Sequence, residues 1–313
     1  MISWRFAHIN DTQPGSPRSF RFRPAFLENE ATAYAQIQQL QPELLLVGGD
    51  LTRDGVLHEF ELIEAKARLD ALGLRYHAIP GNMDAGNKIA PTQGPYPDRD
   101  DIACNLTSAH LDRFNRIFGS VPWTFSHRGV RFTGFYEAVA GSGLPAENHL
   151  WEFLARLAAL PAMHQHVVVT HYPLFIETPD ERSWEIGDPA TYHAWYFGVD
   201  APVRQKLLRL LKAAGVTTMI SGHIHCRRPP QIFEGITFHK TPATCFGQWP
   251  DRWSDGDTAL GFTLFTVNAD GIRAEFVPLE RIALDAGGYG PGGHPRPEQR
   301  DYGLAWVKDG KPL

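Results

Sequence analysis

Cysteine is scarce in this sequence. The 313 residues include only Cys104, Cys226 and Cys245, and no C-x-x-C spacing occurs. An odd number of widely spaced thiols predicts reduced cysteines in a cytoplasmic protein rather than a disulfide framework. The sequence also has no apolar run near the roughly 20 residues that cross a bilayer, and its N-terminus has no apolar signal segment. We therefore expect a cytoplasmic protein without membrane association.

An excess of basic residues is also absent. The formal net charge is -5, and no run of lysine and arginine occurs. This balance argues against a general nucleic-acid surface, which needs clustered positive charge. Hydrophobic residues make up 43% and charged residues 21%, which is ordinary for a globular protein with a buried core. A chain of this length forms one large α/β domain or two smaller ones.

Strand and helix patterns alternate over the first 80 residues. Trp4 and Phe6 lie on alternate positions of a predicted strand that ends near Asp11. Short apolar runs predict four further strands, at 44–47, 76–79, 167–170 and 217–220. Residues 262–267 and 272–277 predict a β-hairpin with an Asp-Gly turn. The pattern as a whole predicts an α/β fold whose C-terminal part is rich in strands.

Two intervals follow neither the helical nor the strand periodicity, and one segment has an unusual composition. Residues 86–119 carry scattered proline, asparagine and aspartate, and residues 176–199 are rich in aromatic and charged side chains. Long irregular loops in α/β enzymes usually lie over the site, so we expect the same of these two. Residues 286–300 are rich in glycine and proline. We predict one domain over residues 1–283 and a Gly/Pro-rich tail over residues 284–313.

Polar side chains follow directly on the predicted strands. Asp11, Asp50, Asn82, His171 and His223 each come just after a strand, and His225 lies two residues beyond His223. The carboxyl ends of strands in open α/β sheets gather at one edge, where they form the binding crevice. Taken singly, an aspartate at such a point could cap a turn and a histidine could belong to the core. Their occurrence in order, at five strand ends, favours a common site.

The residue types at these strand ends indicate the chemistry of the site. Carboxylate, carboxamide and imidazole ligands without thiolate suit divalent ions such as manganese, iron or zinc. Two such ions about 4 Å apart share one carboxylate and a bridging hydroxide, and they lower the pKa of water enough to make a nucleophile near neutral pH. Each ion also neutralises a phosphate oxygen. The sequence therefore predicts two divalent metal ions and the hydrolysis of phosphate esters.

The ordered motifs resemble those of the calcineurin-like metallophosphoesterase superfamily. The superfamily series is D-x-H, G-D, G-N-H-D or G-N-H-E, H and G-H-x-H. The corresponding segments of this chain are Asp11-Thr12-Gln13, Gly49-Asp50, Gly81-Asn82-Met83-Asp84, His171 and Gly222-His223-Ile224-His225. The first motif of this chain, with its glutamine, is similar to the D-x-Q motif of one branch of the superfamily. That branch includes proteins that resemble Ser/Thr phosphatases.

The resemblance implies a fold and a set of metal ligands. The fold would be a four-layer α/β/β/α sandwich of the metallophosphoesterase type. The first metal would be held by Asp11, Asp50 and His225. The second metal would be held by Asp50, Asn82, His171 and His223. Asp50 would thus bridge the two ions. Gln13 stands where the superfamily has a histidine ligand, and we expect it to be a weaker ligand of the first metal or a hydrogen-bond partner of a water on it.

The resemblance also implies catalytic roles for Asp50, Asn82, Asp84 and His223. One departure bears on these roles. Met83 takes the place of the histidine that contacts phosphate in the superfamily and assists the leaving group. Asp84, which would orient that histidine, has therefore lost its expected partner. A compensating group could be His193, Arg53 or a metal-bound water.

Three functions remain open at this stage. Metal-dependent hydrolysis of a phosphate monoester, from a small phosphorylated molecule or a phosphoprotein, is the favoured one. Cleavage of a diester, such as a cyclic nucleotide or a glycerophosphodiester, is the first alternative. The second is a weakly active protein that binds a phosphate ligand or regulates a partner, which the methionine at position 83 favours. The aromatic residues within 176–199 could stack on a base, form a lid or make an oligomer contact.

Overall fold

A computed structural model describes residues 3–19, 22–95, 102 and 104–283, together with the backbone of two short segments beyond them. The strands are β1 (Trp4–Ile9), β2 (Leu44–Val47), β3 (Tyr76–Ala78), β4 (Trp123–His127), β5 (Val130–Gly134), β6 (Gln165–Val169), β7 (Thr218–Ser221), β8 (Gln231–Phe233), β9 (Ile236–Lys240), β10 (Gly261–Asn268) and β11 (Gly271–Pro278). The helices are α1 (Pro24–Leu40), α2 (Glu59–Asp70), α3 (Asn82–Ala85), α4 (Ser108–Phe118), α5 (Pro145–Ala158), α6 (Tyr192–Phe197) and α7 (Ala201–Ala213), with a short 3-10 helix at Glu137–Val139.

The strands form two sheets that place the predicted strand ends side by side. The five-stranded sheet has the order β11-β10-β1-β2-β3, in which β1, β2 and β3 are parallel and the β10–β11 hairpin is antiparallel. The six-stranded sheet has the order β4-β5-β6-β7-β9-β8, and its four central strands are parallel. The carboxyl ends of β1, β2 and β3 therefore open at one edge of the first sheet, and those of β6 and β7 at one edge of the second.

Alternating burial on the strands creates the layers. Phe6 of β1 faces the other sheet, where it meets Phe132 edge-on at 5.3 Å, and it stacks on Phe265 of the neighbouring strand β10 with ring centroids 4.7 Å apart. Its neighbours Ala7 and Ile9 face the opposite way, into a core that they share with α1 and α2. A third core joins the outer face of the six-stranded sheet to α5 and α7. Because side chains on a strand alternate between faces, each sheet is covered on both sides.

The predicted four-layer α/β/β/α sandwich is confirmed: two sheets pack face to face, and helices flank both. The predicted strands and the C-terminal hairpin are also present. Residues 86–119, expected to be irregular, include helix α4, and residues 176–199 include helix α6. Helix α4 buries Leu111 and Phe114 of its eleven residues.

The C-terminal tail predicted over 284–313 lies outside the described residues, apart from two short strands. These are β12 (Val307–Lys308) and β13 (Lys311–Pro312), which pair with each other. Among the helices of the described ranges, none is both long enough and apolar enough to span a membrane.

Candidate metal centre

The loops that follow five strands bring six polar side chains together. Asp11 follows β1, Asp50 follows β2, Asn82 begins α3 after β3, His171 follows β6, and His223 and His225 follow β7. All six are buried. Ligand atoms lie within 4.8 Å of one another in two groups, one of Asp11, Asp50 and His225 and one of Asp50, His171 and His223. Asp50 belongs to both groups.

The chain turns sharply at these positions. Asp11, Asp50, His223 and His225 have φ values of 51°, 52°, 66° and 50°, in the left-handed region that side chains other than glycine rarely adopt. Each such residue costs about 1–2 kcal/mol. The corner at Asp11 is held by its own N–H, which donates to Gly49 O at 3.0 Å. Strained backbone of this kind is often found at functional sites.

Glycines allow these corners to approach one another. A Cβ atom built on Gly81 would overlap Asp50 Oδ1 and lie 2.7 Å from His171 Cε1. A Cβ on Gly222 would lie 2.7 Å from Asp11 Oδ2. The glycines of the second, third and last motifs therefore serve the close packing of the ligand side chains.

Backbone carbonyls orient the three histidines. His171 Nδ1 lies 2.9 Å from Gly48 O, and His225 Nδ1 lies 2.8 Å from Phe246 O. His223 uses its other nitrogen, because Nε2 lies 3.1 Å from Tyr196 O. In each ring one N–H donates to a carbonyl, so the lone pair of the other nitrogen faces the cluster. Metal-binding histidines are commonly fixed in this way.

The two oxygens of Asp50 face different groups. Oδ1 accepts a hydrogen bond from Met83 N at 2.8 Å and lies 3.4 Å from His171 Nε2. Oδ2 accepts from Gln13 Nε2 at 2.8 Å, on the side of His225. Its carboxylate therefore lies between the two groups of ligands.

The amide of Asn82 turns its oxygen toward the second group. Its Nδ2 donates to Tyr196 Oη at 3.4 Å, while its Oδ1 lies 3.0 Å from His171 Nε2. This orientation adds a carboxamide oxygen to Asp50, His171 and His223.

The buried charges require cations. Asp11 is fully buried, and its Oδ1 accepts no hydrogen bond from the described residues although it lies 3.4 Å from His225 Nε2. Burial lowers the pKa of His171, but the carboxylates of Asp50 and Asp11 outweigh this effect and raise it to about 10. Isolated buried carboxylates are costly unless they are paired or coordinate a metal. The oxygen and imidazole donors therefore fit two divalent ions of the manganese, iron or zinc type.

Gln13 does not have the geometry of a ligand. Its Oε1 accepts a hydrogen bond from Arg53 Nη1 at 2.7 Å, which turns Nε2 toward Asp50 and His225. An amide N–H group donates a hydrogen bond and does not bind a cation. The expectation that Gln13 ligates the first metal is therefore not met by this geometry. Neither the sequence nor the resemblance contained a signal for the contact with Arg53.

Asp84 has other partners in place of the histidine that it would orient in the superfamily. Its carboxylate accepts four hydrogen bonds, from Leu51 N at 3.2 Å, Thr52 N at 3.0 Å, Thr52 Oγ1 at 2.7 Å and Gly81 N at 2.9 Å. Burial, followed by the charge of Asp50, raises its pKa to about 7. Asp84 fastens the loop after β2 to the loop after β3. It positions Asp50 and Asn82, and the geometry gives it no direct part in the chemistry.

A narrow cavity of about 20 Å³ lies over the cluster. Its lining comprises Gln13, Asp50, Arg53, Met83, Tyr196, Phe197, His223, His225, Phe246 and Gln248. Of the compensating side chains expected from sequence, Arg53 is in this lining, whereas His193 is outside the described lining. A larger cavity of about 530 Å³ borders α4 and α5, and its described lining contains none of the six candidate ligands.

Some contributing residues had no signal in the sequence. Phe246 and Gln248 reach the cavity from a loop beyond β9. Glu137 accepts a hydrogen bond from His171 N at 3.0 Å and one from Tyr172 N at 2.6 Å, so it holds the loop after β6 in place. These contacts join segments that are far apart in the chain, and no local pattern marks them.

The calcineurin-like phosphoesterase family model matches residues 5–227, which include every candidate ligand. This chain therefore belongs to the calcineurin-like phosphoesterase family, a class of metal-dependent phosphoesterases.

The individual proteins that this chain resembles share a low sequence identity with it. The serine/threonine-protein phosphatase CPPED1 of Danio rerio is 28% identical over 201 residues, which cover 62% of this chain and 58% of that protein. A dimetal phosphatase from Danio rerio has the same fold, with a TM-score of 0.56, 14% identity and coverage of 90% of this chain and 99% of that one. Purple acid phosphatase PPD1 from yellow lupin (Lupinus luteus) seeds also shares the fold, with a TM-score of 0.56, 14% identity and coverage of 91% and 53%.

The shared carboxylate predicts how single substitutions change metal content. Asp50→Ala should lose both ions, because each group loses a charged ligand, whereas His225→Ala should empty only the first group and retain about one ion. Elemental analysis after loading with Mn²⁺ and desalting measures this, and circular dichroism checks that each variant is folded. The control is Asp257→Ala, which removes a partly exposed carboxylate paired with Arg227 and should keep two ions. Two ions per chain in Asp50→Ala would contradict the bridging assignment.

Because Gln13 does not act as a ligand, we predict that the two groups of ligands bind their metal ions with unequal affinity. The first group has three ligand side chains and the second has four, so dialysis against a mild chelator should remove the first ion before the second. Gln13→His should tighten the first group, since Arg53 disfavours protonation of the new imidazole. Gln13→Leu, which adds no ligand, should keep the natural order of loss. Equal retention of both ions by the natural protein would show that the first group is not the weaker one.

Proposed function

We propose that this protein hydrolyses phosphate monoesters with the help of two divalent metal ions. The observation that carries the proposal is the narrow cavity over the metal cluster, whose described lining includes Asp50, His223, His225, Tyr196 and Phe197. A monoester has one ester arm and three terminal oxygens, whereas a diester has two arms and two terminal oxygens. An entrance narrowed by Tyr196 and Phe197 favours the ester with the single arm.

The metal-binding residues form two sets of ligands, one for each ion. Asp11, Asp50 and His225 would hold one ion, and Asp50, Asn82, His171 and His223 would hold the other. When bound, the ions lower the pKa of water and neutralise the phosphate oxygens. The residues of the chain keep the donor atoms fixed, through the carbonyl contacts of the histidines and the hydrogen bonds to Asp84.

Arg53 and Gln13 supply donors on the wall of the cavity. The Arg53 guanidinium is fully buried, and its Nη1 holds the Gln13 amide so that Nε2 faces the cluster. Preorganised donors aimed at a phosphate stabilise the charge that develops in the transition state. A cation and an amide donor beside the metals suit the dianionic phosphate of a monoester better than the monoanionic phosphate of a diester.

The substrate class is also a proposal. The relative CPPED1 is described as a serine/threonine-protein phosphatase, which supports an alkyl phosphate such as phosphoserine, either free or in a protein. Tyr196 and Phe197 of α6 cover the cluster and restrict what enters the cavity. We therefore expect a phosphate on a small or extended group rather than one on a bulky polycyclic group.

Steady-state kinetics with Mn²⁺ test the proposal. The value of kcat/KM for p-nitrophenyl phosphate should exceed that for bis-p-nitrophenyl phosphate, and Asp50→Ala should abolish turnover of both. A higher value for the diester would identify a phosphodiesterase instead. Turnover of neither, together with binding of inorganic phosphate in calorimetry, would identify a phosphate-binding protein and refute the proposal.

A further inference from the structure

The hydroxyl of Tyr196 lies at the edge of the metal cluster. Tyr196 belongs to α6, within the segment that covers the cavity, and its side chain is buried. Its Oη accepts a hydrogen bond from Asn82 Nδ2 at 3.4 Å, and the side chain lines the same cavity as Met83 and His223. The phenol is therefore on the side of the second metal group, and Tyr196 shares the cavity lining with Met83, which replaces the superfamily's histidine.

Contacts with the ligands fix this tyrosine in place. Its backbone oxygen is 3.1 Å from His223 Nε2, and its ring centroid is 5.0 Å from that of His223. The ring also lies nearly parallel to that of Tyr192, with an interplanar angle of 13° and centroids 6.2 Å apart. Because both the backbone and the ring contact His223, the hydroxyl keeps a defined position relative to the second metal group.

The other described residues of the cavity lining are poorly suited to give a proton to a leaving group. Met83, Phe197 and Phe246 have no acidic hydrogen. The amides of Gln13 and Gln248 and the guanidinium of Arg53 hold their protons at neutral pH. Asp50, His223 and His225 are occupied as candidate ligands. The phenol of Tyr196 is the group that remains within the described lining.

A phenol has suitable acidity for this task. Phenolic hydroxyls ordinarily titrate near pH 10, whereas an alkoxide is about as basic as hydroxide, whose parent water has a pKa of about 15.7. Transfer of a proton from a phenol to a departing alkoxide is therefore downhill. An activated leaving group such as p-nitrophenolate is a weak base and gains little from a proton donor.

We propose that Tyr196 is the catalytic proton donor to the leaving-group oxygen, in the place left by Met83; this inference rests on the monoester hydrolysis proposed above. The attacking hydroxide forms a bond to phosphorus as the bond from phosphorus to the leaving oxygen breaks. The electron pair of that bond stays on the leaving oxygen, which takes the proton from Tyr196 Oη. The resulting phenolate takes a proton from water, and this restores both the phenol and a hydroxide.

The variant Tyr196→Phe tests this role because it removes only the hydroxyl. We expect kcat/KM for an alkyl monoester such as glycerol phosphate to fall about 10²–10⁴-fold, the usual contribution of a positioned acid. The value for p-nitrophenyl phosphate should change far less. Tyr192→Phe is the matched control, since Tyr192 lies in the same helix and outside the described cavity lining, and it should affect both esters equally. Elemental analysis and calorimetry with inorganic phosphate should show unchanged metal content and phosphate affinity in Tyr196→Phe.

Three results would overturn the inference. An equal loss on both esters would mean that the hydroxyl positions Asn82 instead of donating a proton. Loss of a metal equivalent would assign the hydroxyl to the metal site, and unchanged kinetics would leave it without a catalytic part. In all three cases the natural protein still hydrolyses the esters. If the natural protein hydrolyses no ester at all, the proposed function itself fails.

Discussion

Two carboxylates, those of Asp11 and Asp50, are buried at the point where the two sheets open, and the site depends on keeping them there. Buried negative charge is costly without cations, and the surrounding imidazoles cannot all be protonated next to one another. Divalent ions resolve this conflict because they neutralise the carboxylates and bind neutral imidazole. The left-handed corners at Asp11 and Asp50, and the glycines that pack against them, place the donor atoms within 4.8 Å of one another.

The outer part of the site departs from the family motifs in a consistent way. A glutamine and a methionine stand where the motifs have two histidines, so this chain has fewer imidazoles at the site. At the first of these positions, Arg53 donates a hydrogen bond to Gln13 and so holds the Gln13 amide as a donor to Asp50. The second change leaves an apolar side chain at Met83, in the cavity that Tyr196 of α6 also lines. The donors that remain are therefore a guanidinium, amides and a phenol.

Much of the fold and of the inner site could be predicted from the sequence, because both depend on local pattern. Apolar runs marked the strands that precede Asp50 and His171, and glycine marked the corner before Asp50. The orientation of side chains could not be predicted. Asp84 fits the family motif, yet three of its four hydrogen bonds come from Leu51 and Thr52, in the loop after β2. The position of Tyr196 depends on the packing of α6 against His223, more than twenty residues along the chain.

The claim that Asp50 is shared by two ions has a direct test in a crystal structure of the protein grown with Mn²⁺. Anomalous diffraction locates manganese independently of the protein atoms. The account predicts two peaks about 4 Å apart, one near each oxygen of the Asp50 carboxylate, as in two-metal sites in general. A single peak, or two peaks of which only one contacts Asp50, would contradict it.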